Sequence, residues 1–332
     1  MENKANIEEL KKEIKKLAEM NKKFKTDFKL SDTRLSFYCL NKGEEVFEIL
    51  NEFTFPKLEN LDLRYNQIKD ITKLTLTQLN KLQILNLAEN ELENIEPLSK
   101  CKIENLTELL LFKNKISSID ILSECNFNNL KILDLSNNLI SSINIDTFKP
   151  FDKLEKLFLS ENNLQSNETF SKGESEKIFG NLKILYLSRN HITKLSPFKC
   201  PNLTGLFLIG NQISEVDSLA QSKFNELKIL WLSENEIKNI DIFNQCSLNK
   251  LENLHLNNNK INNIDNLLLS TIGQQLKILN LRFNQISDIK VLNQSKLDNL
   301  KILDIKNNKI DKKKNQDIIS NIKKLSKFKF LI

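Results

Sequence analysis

Glycine is scarce in this chain, with six residues in 332. No Gly-rich phosphate loop and no G-x-S-x-G nucleophile turn is present. Histidine is scarcer still: His191 and His255 are the only two. Neither sits in an H-x-x-x-H or Cys/His spacing, which excludes the common zinc arrangements. A general base would also need an acid or nucleophile within reach, and the sequence offers none. The five cysteines, Cys39, Cys101, Cys125, Cys200 and Cys246, are odd in number and do not cluster at the ends. A disulfide framework is therefore excluded, and reduced thiols point to an intracellular compartment. Long apolar runs are missing as well. Stretches such as Leu109 to Phe112 and Leu267 to Leu269 fall far short of the roughly 18 residues that a membrane span requires. Met1 to Lys25 is charged throughout and has no apolar h-region, so no secretory signal is expected there. These absences lead to an expectation: a cytoplasmic, non-catalytic protein with no cofactor, no metal site and no membrane span.

What the chain does contain is a phrase, L-x-x-L-x-L-x-x-N-x-(I/L), spelled eleven times. The first copy is Leu58, Leu61, Leu63, Asn66, Ile68; the last is Leu300, Leu303, Ile305, Asn308, Ile310. The asparagines stand at Asn66, Asn90, Asn114, Asn138, Asn162, Asn190, Asn211, Asn235, Asn259, Asn284 and Asn308, a mean spacing of about 24 residues. On these residues the chain is identified as a member of the leucine-rich-repeat superfamily from Leu58 to Ile310. The N-x-I-x-x-I-x-x-L rhythm resembles the SDS22-like subclass, whose members regulate phosphatases or scaffold ribonucleoprotein complexes. The fold this implies is α/β: a leucine-rich-repeat solenoid (a right-handed horseshoe) with a parallel concave β-sheet, about eleven repeats and helical end caps.

The physics of one repeat follows from alternation. In Leu130-Lys-Ile-Leu133-Asp-Leu135 the leucines alternate with outward residues, the period of a half-buried strand. Asparagine can donate and accept at once, so it is expected to satisfy turn backbone in its own and the next repeat. Phe55, Phe127, Phe151, Phe179 and Phe224 recur before the strands and read as an outer spine of the core. Cys101, Cys125 and Cys246 share one repeat position with Thr77, Ser222, Thr271 and Ser295, a slot for a small side chain.

The ends need covers, because a solenoid must hide its terminal apolar faces. Residues 1–28 read as an amphipathic capping helix that starts at Asn6 and Glu9 and carries Ile7, Leu10, Ile14, Leu17, Phe24 and Phe28 at heptad spacing, the alternative being a short coiled coil with a partner. Residues 29–57 read as a degenerate first repeat with Leu35 and Phe37 in its strand, and 58–310 as the solenoid. Residues 311–332 read as a basic closing helix with Ile318, Ile319, Ile322, Leu325 and Phe328 on its apolar side. The interval from Asn162 to Asn190 is long, and the polar stretch Gln165 to Lys177 reads as a surface insertion.

Function on such a scaffold belongs to its variable positions. The outward residue between the two strand leucines runs Asp62, Asn86, Leu110, Asp134, Phe158, Tyr186, Phe207, Trp231, His255, Asn280, Asp304. Four consecutive aromatics stand between polar ends, with Phe112, Ile184, Ile209 and Ile229 beside them. Nothing in the repeat demands aromatic residues there, and a contiguous exposed apolar patch marks an interaction surface; the alternative is mutual packing of the rings across adjacent strands, worth about 0.2–1 kcal/mol per pair. The expected binding residues are Phe112, Phe158, Tyr186, Phe207, Ile209, Ile229, Trp231 and His255. The expected partner is a protein or peptide on the concave face of a monomer. Nucleic acid is the other class, and its best attachment is the basic tail, where nine lysines from Lys306 onward face Asp311 and Asp317.

Overall fold

The computed structural model describes residues 2–325 and 327–332, with side chains for 8–324 and 327–332. Two units are distinguished, 1–154 and 155–332, and each is described by itself.

The first unit opens with helix α1 (Glu2–Phe24). The helix begins before Asn6, so the expected start signal lies inside it; the side chains of Asn6 and Ile7 lie outside the described residues. Leu17, Phe24 and Phe28 are buried, whereas Leu10 and Ile14 are about half exposed. Lys16 pairs with Glu52 and Lys23 with Glu48, tying α1 to the short helix α2 (Phe47–Glu52). Phe28 packs on Phe37 with ring centroids 4.8 Å apart. Five three-residue strands follow one another in parallel register: β1 (Arg34–Ser36), β2 (Asn60–Asp62), β3 (Ile84–Asn86), β4 (Glu108–Leu110) and β5 (Ile132–Asp134). Each central residue is a fully buried leucine. Such burial contributes about 1.5–3 kcal/mol per side chain.

The second unit contains β6 (Lys156–Phe158), β7 (Ile184–Tyr186), β8 (Gly205–Phe207), β9 (Ile229–Trp231), β10 (Asn253–His255), β11 (Ile278–Asn280), β12 (Ile302–Asp304) and β13 (Lys329–Leu331), parallel and in sequence order. Short helices α3 (Ser175–Ile178), α4 (Asp265–Leu269) and α5 (Thr271–Gln275) and single 3-10 turns return the chain behind the sheet. Helix α6 (Gln316–Leu325) covers the last coil with Ile319 and Ile322 buried. The Leu325 side chain lies outside the described residues. Phe328 does not extend this helix. The chain turns after α6 and adds β13, pairing Ile302 with Lys329 and Asp304 with Leu331. The extra strand covers backbone groups that β12 would otherwise leave as an open edge.

The asparagine ladder is directional. Asn90 donates to Leu87 O at 2.9 Å in its own coil and to Leu63 O at 3.0 Å in the preceding one. Its Oδ1 accepts from Asn66 N at 3.0 Å and Ile68 N at 3.1 Å. The same pattern recurs at Asn114, Asn235, Asn259 and Asn284. The bonds therefore reach back to the preceding repeat, correcting the expectation of bonds to the next. The residue before each ladder asparagine is left-handed, with φ from 52° to 65°, and only Gly210 among them is glycine. That conformation costs about 1–2 kcal/mol for an L-residue, which the side-chain bonds of the asparagine offset.

The small-residue slot is also more specific than its size. Cys101, Cys125, Ser222, Cys246 and Ser295 each donate to the carbonyl four residues earlier, while Thr77 Oγ1 lies 3.4 Å from the equivalent Lys73 carbonyl and 2.9 Å from Asn51 Oδ1. Burial pushes the Cys101, Cys125 and Cys246 thiols up to about 12, so they stay protonated. The Gln165–Lys177 insertion is packed: Phe170 lies against Phe179 at a 45° tilt and stacks on Phe198, and Glu176 pairs with Lys223 at 2.6 Å. Asn167 is buried and exchanges two 2.8 Å bonds with Ser196, joining this long coil to the short coil after it.

Candidate functional site

Leucines in the middle of each strand point to the core, so their neighbours on either side present the open face of the sheet. In the second unit β6 to β10 carry Phe158, Tyr186, Phe207, Trp231 and His255 in register on that face. The rings form one continuous stack. Phe158 and Tyr186 lie 5.0 Å apart at 16°, Tyr186 and Phe207 4.0 Å apart at 3°. Trp231 then meets Phe207 edge-on at 5.1 Å and 76°, and His255 lies 4.8 Å beyond it. Phe158, Tyr186, Trp231 and His255 are half-buried, as are Ile184, Ile209 and Ile229 beside them.

Phe207 departs from the expectation. It is 6% exposed, a buried residue where the pattern places an open one. The cause is Gly205, two positions earlier on the same face. A Cβ at Gly205 would sit 3.1 Å from Phe207 Cε2 and 3.0 Å from Ile184 Cδ1. The missing side chain makes room for the Phe207 ring, and Tyr186 stacks over it in parallel. Phe112 lies in the first unit, just after β4, and is half-buried beside Leu110. The ring stack of the second unit is described without it.

Strand ends reveal residues the sequence reading passed over. Where the face residue is Asp or Asn, it accepts from the amide two residues on: Asp62 from Arg64, Asn86 from Ala88, Asp134 from Ser136, Asn280 from Arg282, Asp304 from Lys306. Aromatic residues cannot do this. There, Ser160 Oγ accepts from Ser188 N and Ser188 Oγ from Ile209 N, both at 3.2 Å. The available signal was the serine two positions after Phe158, Tyr186 and Trp231, which reads as unremarkable solvent-facing polarity until the coils are stacked.

Two polar groups in the stack are held away from water. The Trp231 Nε1 atom is buried without a hydrogen-bond partner among the described residues, a state that costs about 1–3 kcal/mol. Burial holds His255 below its usual 6.5, so it is neutral at pH 7. Burial also raises Tyr186. Among the described residues no group of three His, Cys, Asp or Glu side chains could hold a metal ion. No described helix is long and apolar enough to cross a membrane.

The repeats match the family description "Leucine rich repeat" over residues 56–116 and 104–164, and "Leucine Rich repeats (2 copies)" over 180–221. The fold is similar to an internalin from Listeria monocytogenes, with 26% identity, 80% of each chain covered and a TM-score of 0.57. It is similar to the leucine-rich-repeat domain of APL1, with 24% identity, 85% of this chain and 74% of that one covered and a TM-score of 0.59. A plant peptide hormone receptor, RGFR1 in complex with RGF2, is similar over 78% of this chain and 41% of its own, with 24% identity and a TM-score of 0.57. No curated protein matches the chain in sequence.

Proposed function

We propose that this chain, built of leucine-rich repeats, is a non-catalytic interaction scaffold that receives a protein or peptide on the aromatic face of its second unit. The single observation that carries the reading is the in-register stack from Phe158 to His255, kept half-open with a buried indole N–H left unpaired. A phenylalanine at position 231 would have no such donor to leave unpaired. A local rule broken at a face position is the kind of cost that function sustains. Trp and Tyr at the centre of a polar-rimmed patch are also the residue types that dominate interface energies. Supporting the reading, the fold is similar to that of a plant peptide hormone receptor solved in complex with RGF2. The contact residues are Phe158, Tyr186, Ile209, Ile229, Trp231 and His255, with Phe207 as the buried support beneath them.

The protein acts as a monomer inside the cell, where five unpaired thiols persist. Phosphatase regulation and ribonucleoprotein scaffolding, implied by the subclass resemblance, are narrower forms of the same reading, and the identity of the partner decides between them. A photoreactive phenylalanine analogue tests the site directly. Placed at position 186, it is expected to crosslink a partner in a cell extract; placed at the exposed Tyr65 of the first unit, it is not. Equal crosslinking from both positions, or crosslinking from 65 alone, refutes the reading.

A further inference from the structure

One border of the aromatic face is a row of lysines. The residue just before each strand forms its own ladder, each amide donating to the carbonyl of its counterpart in the preceding coil. In the second unit this ladder runs Glu155, Lys183, Thr204, Lys228, Glu252, Lys277, Lys301. In the first unit it runs Thr33, Glu59, Gln83, Thr107, Lys131. The two glutamates of the second row are already engaged, Glu155 by Lys183 and Glu252 by Lys277, each at 2.8 Å. Lys228 and Lys301 are exposed and have no ion pair among the described residues, and Lys156 adds a further exposed cation on the face of β6. The edge therefore keeps an uncompensated positive charge beside an apolar floor.

We propose that the occupant of this face is an acidic, extended protein segment. Its large apolar side chains would lie on the ring edges of Tyr186 and Trp231, and its carboxylates along Lys183, Lys228, Lys277 and Lys301. Charge complementarity selects acid over base along the row. Spacing agrees: three residues of an extended polyproline-like segment rise about 9 Å, close to the roughly 9.6 Å between alternate strands. The ring geometry selects peptide over single-stranded nucleic acid. A base stacked between two rings needs a gap of roughly 7 Å, twice the 3.4 Å stacking distance. Phe158, Tyr186 and Phe207 stand only 4.0–5.0 Å apart and have spent their faces on one another. What they offer is edges, which suit aliphatic and aromatic side chains.

This inference rests on the aromatic-face reading, and one experiment separates the two. Trp231 is the only tryptophan, so its fluorescence reports the site directly. The probe is an acetylated twelve-residue peptide repeating Phe-Glu-Glu, with Phe-Gln-Gln and Phe-Lys-Lys versions beside it. The Glu peptide is expected to shift Trp231 emission and to bind about tenfold tighter than the Gln peptide at low salt, an advantage that shrinks as salt screens it. Lys228→Glu with Lys301→Glu, both exposed positions, is expected to abolish that advantage while the melting temperature holds. Equal affinity for Glu and Gln peptides overturns the acidic occupant and leaves the aromatic face standing. No emission change with any of the three peptides overturns both. Tighter binding of a twenty-residue oligothymidine than of the Glu peptide overturns the protein class of the occupant.

Discussion

In the first unit Asp62, Asn86 and Asp134 close their own strand ends, while in the second Tyr186 and Phe207 leave that work to Ser160 and Ser188 of the adjoining coils. The leucine core and the asparagine ladder are alike in both. The first unit presents a face whose polar groups are internally satisfied: Asp62 also grips Arg64 through two oxygens, and Lys113 pairs with Glu89. It carries 23 Lys and Arg against 25 Asp and Glu, whereas the second unit carries 26 against 18. The second unit presents stacked rings, an unpaired indole N–H and a lysine edge. One coil design thus supports a strand end closed by its own polar face residue and one closed by a serine of the preceding coil.

The largest effect that sharpens this contrast is expected at Gly205. Gly205→Val places methyl groups where Ile184 and Phe207 already stand and is expected to lower stability by about 2 kcal/mol. Ile84→Val, at the same strand position in the first unit, is expected to cost less than about 1 kcal/mol. Urea denaturation measures both, and equal costs would remove the special packing from the aromatic face. Next come the strand-end acceptors. Asp62→Ala and Ser188→Ala should each cost about 1 kcal/mol by orphaning the amides of Arg64 and Ile209. A silent Ser188→Ala would show that the serines are not substitutes for the polar face residues.

Trp231→Phe is expected to leave thermal stability unchanged or raise it by up to about 1 kcal/mol, because it removes the orphan donor and keeps a ring in the stack. A clear loss of stability would mean that the indole N–H finds an acceptor. The smallest effect is a pH dependence. The folded state holds His255 below its ordinary 6.5, so below that value the unfolded chain takes up a proton that the folded chain refuses. This contribution is complete above pH 6.5 and is lost as pH falls through the lowered folded value. Denaturation midpoints are expected to drop more steeply over that range in the wild type than in His255→Asn. Parallel curves would place the imidazole in ordinary solvent.

The repeat was legible because burial writes itself directly into leucine spacing. Leu61, Leu85 and Leu109 need no tertiary knowledge to be read as core, and the alternation placed Phe158, Tyr186 and Trp231 on one face. What stayed hidden depends on neighbouring coils. The left-handed residues before each asparagine include Tyr65, Lys113 and Phe283, none of them a turn former, because the ladder and not the residue sustains that geometry. The burial of Phe207 depends on the space at Gly205. The strand β13 depends on an edge that exists only once β12 has formed. The donor role shared by Cys101, Cys246 and Ser222 needs the carbonyl four residues back, which only the 3-10 turn brings near.

The central claim, that the second unit's ring stack is the interaction face, is tested most directly by capture on immobilised protein. Wild type is compared with Tyr186→Ala/Trp231→Ala and with Tyr38→Ala/Tyr65→Ala, the exposed tyrosines of the first unit. Capture is expected to persist in the Tyr38/Tyr65 variant and to vanish in the Tyr186/Trp231 variant, with both variants melting as folded proteins. Partners retained by the Tyr186/Trp231 variant and lost from the Tyr38/Tyr65 variant would contradict it.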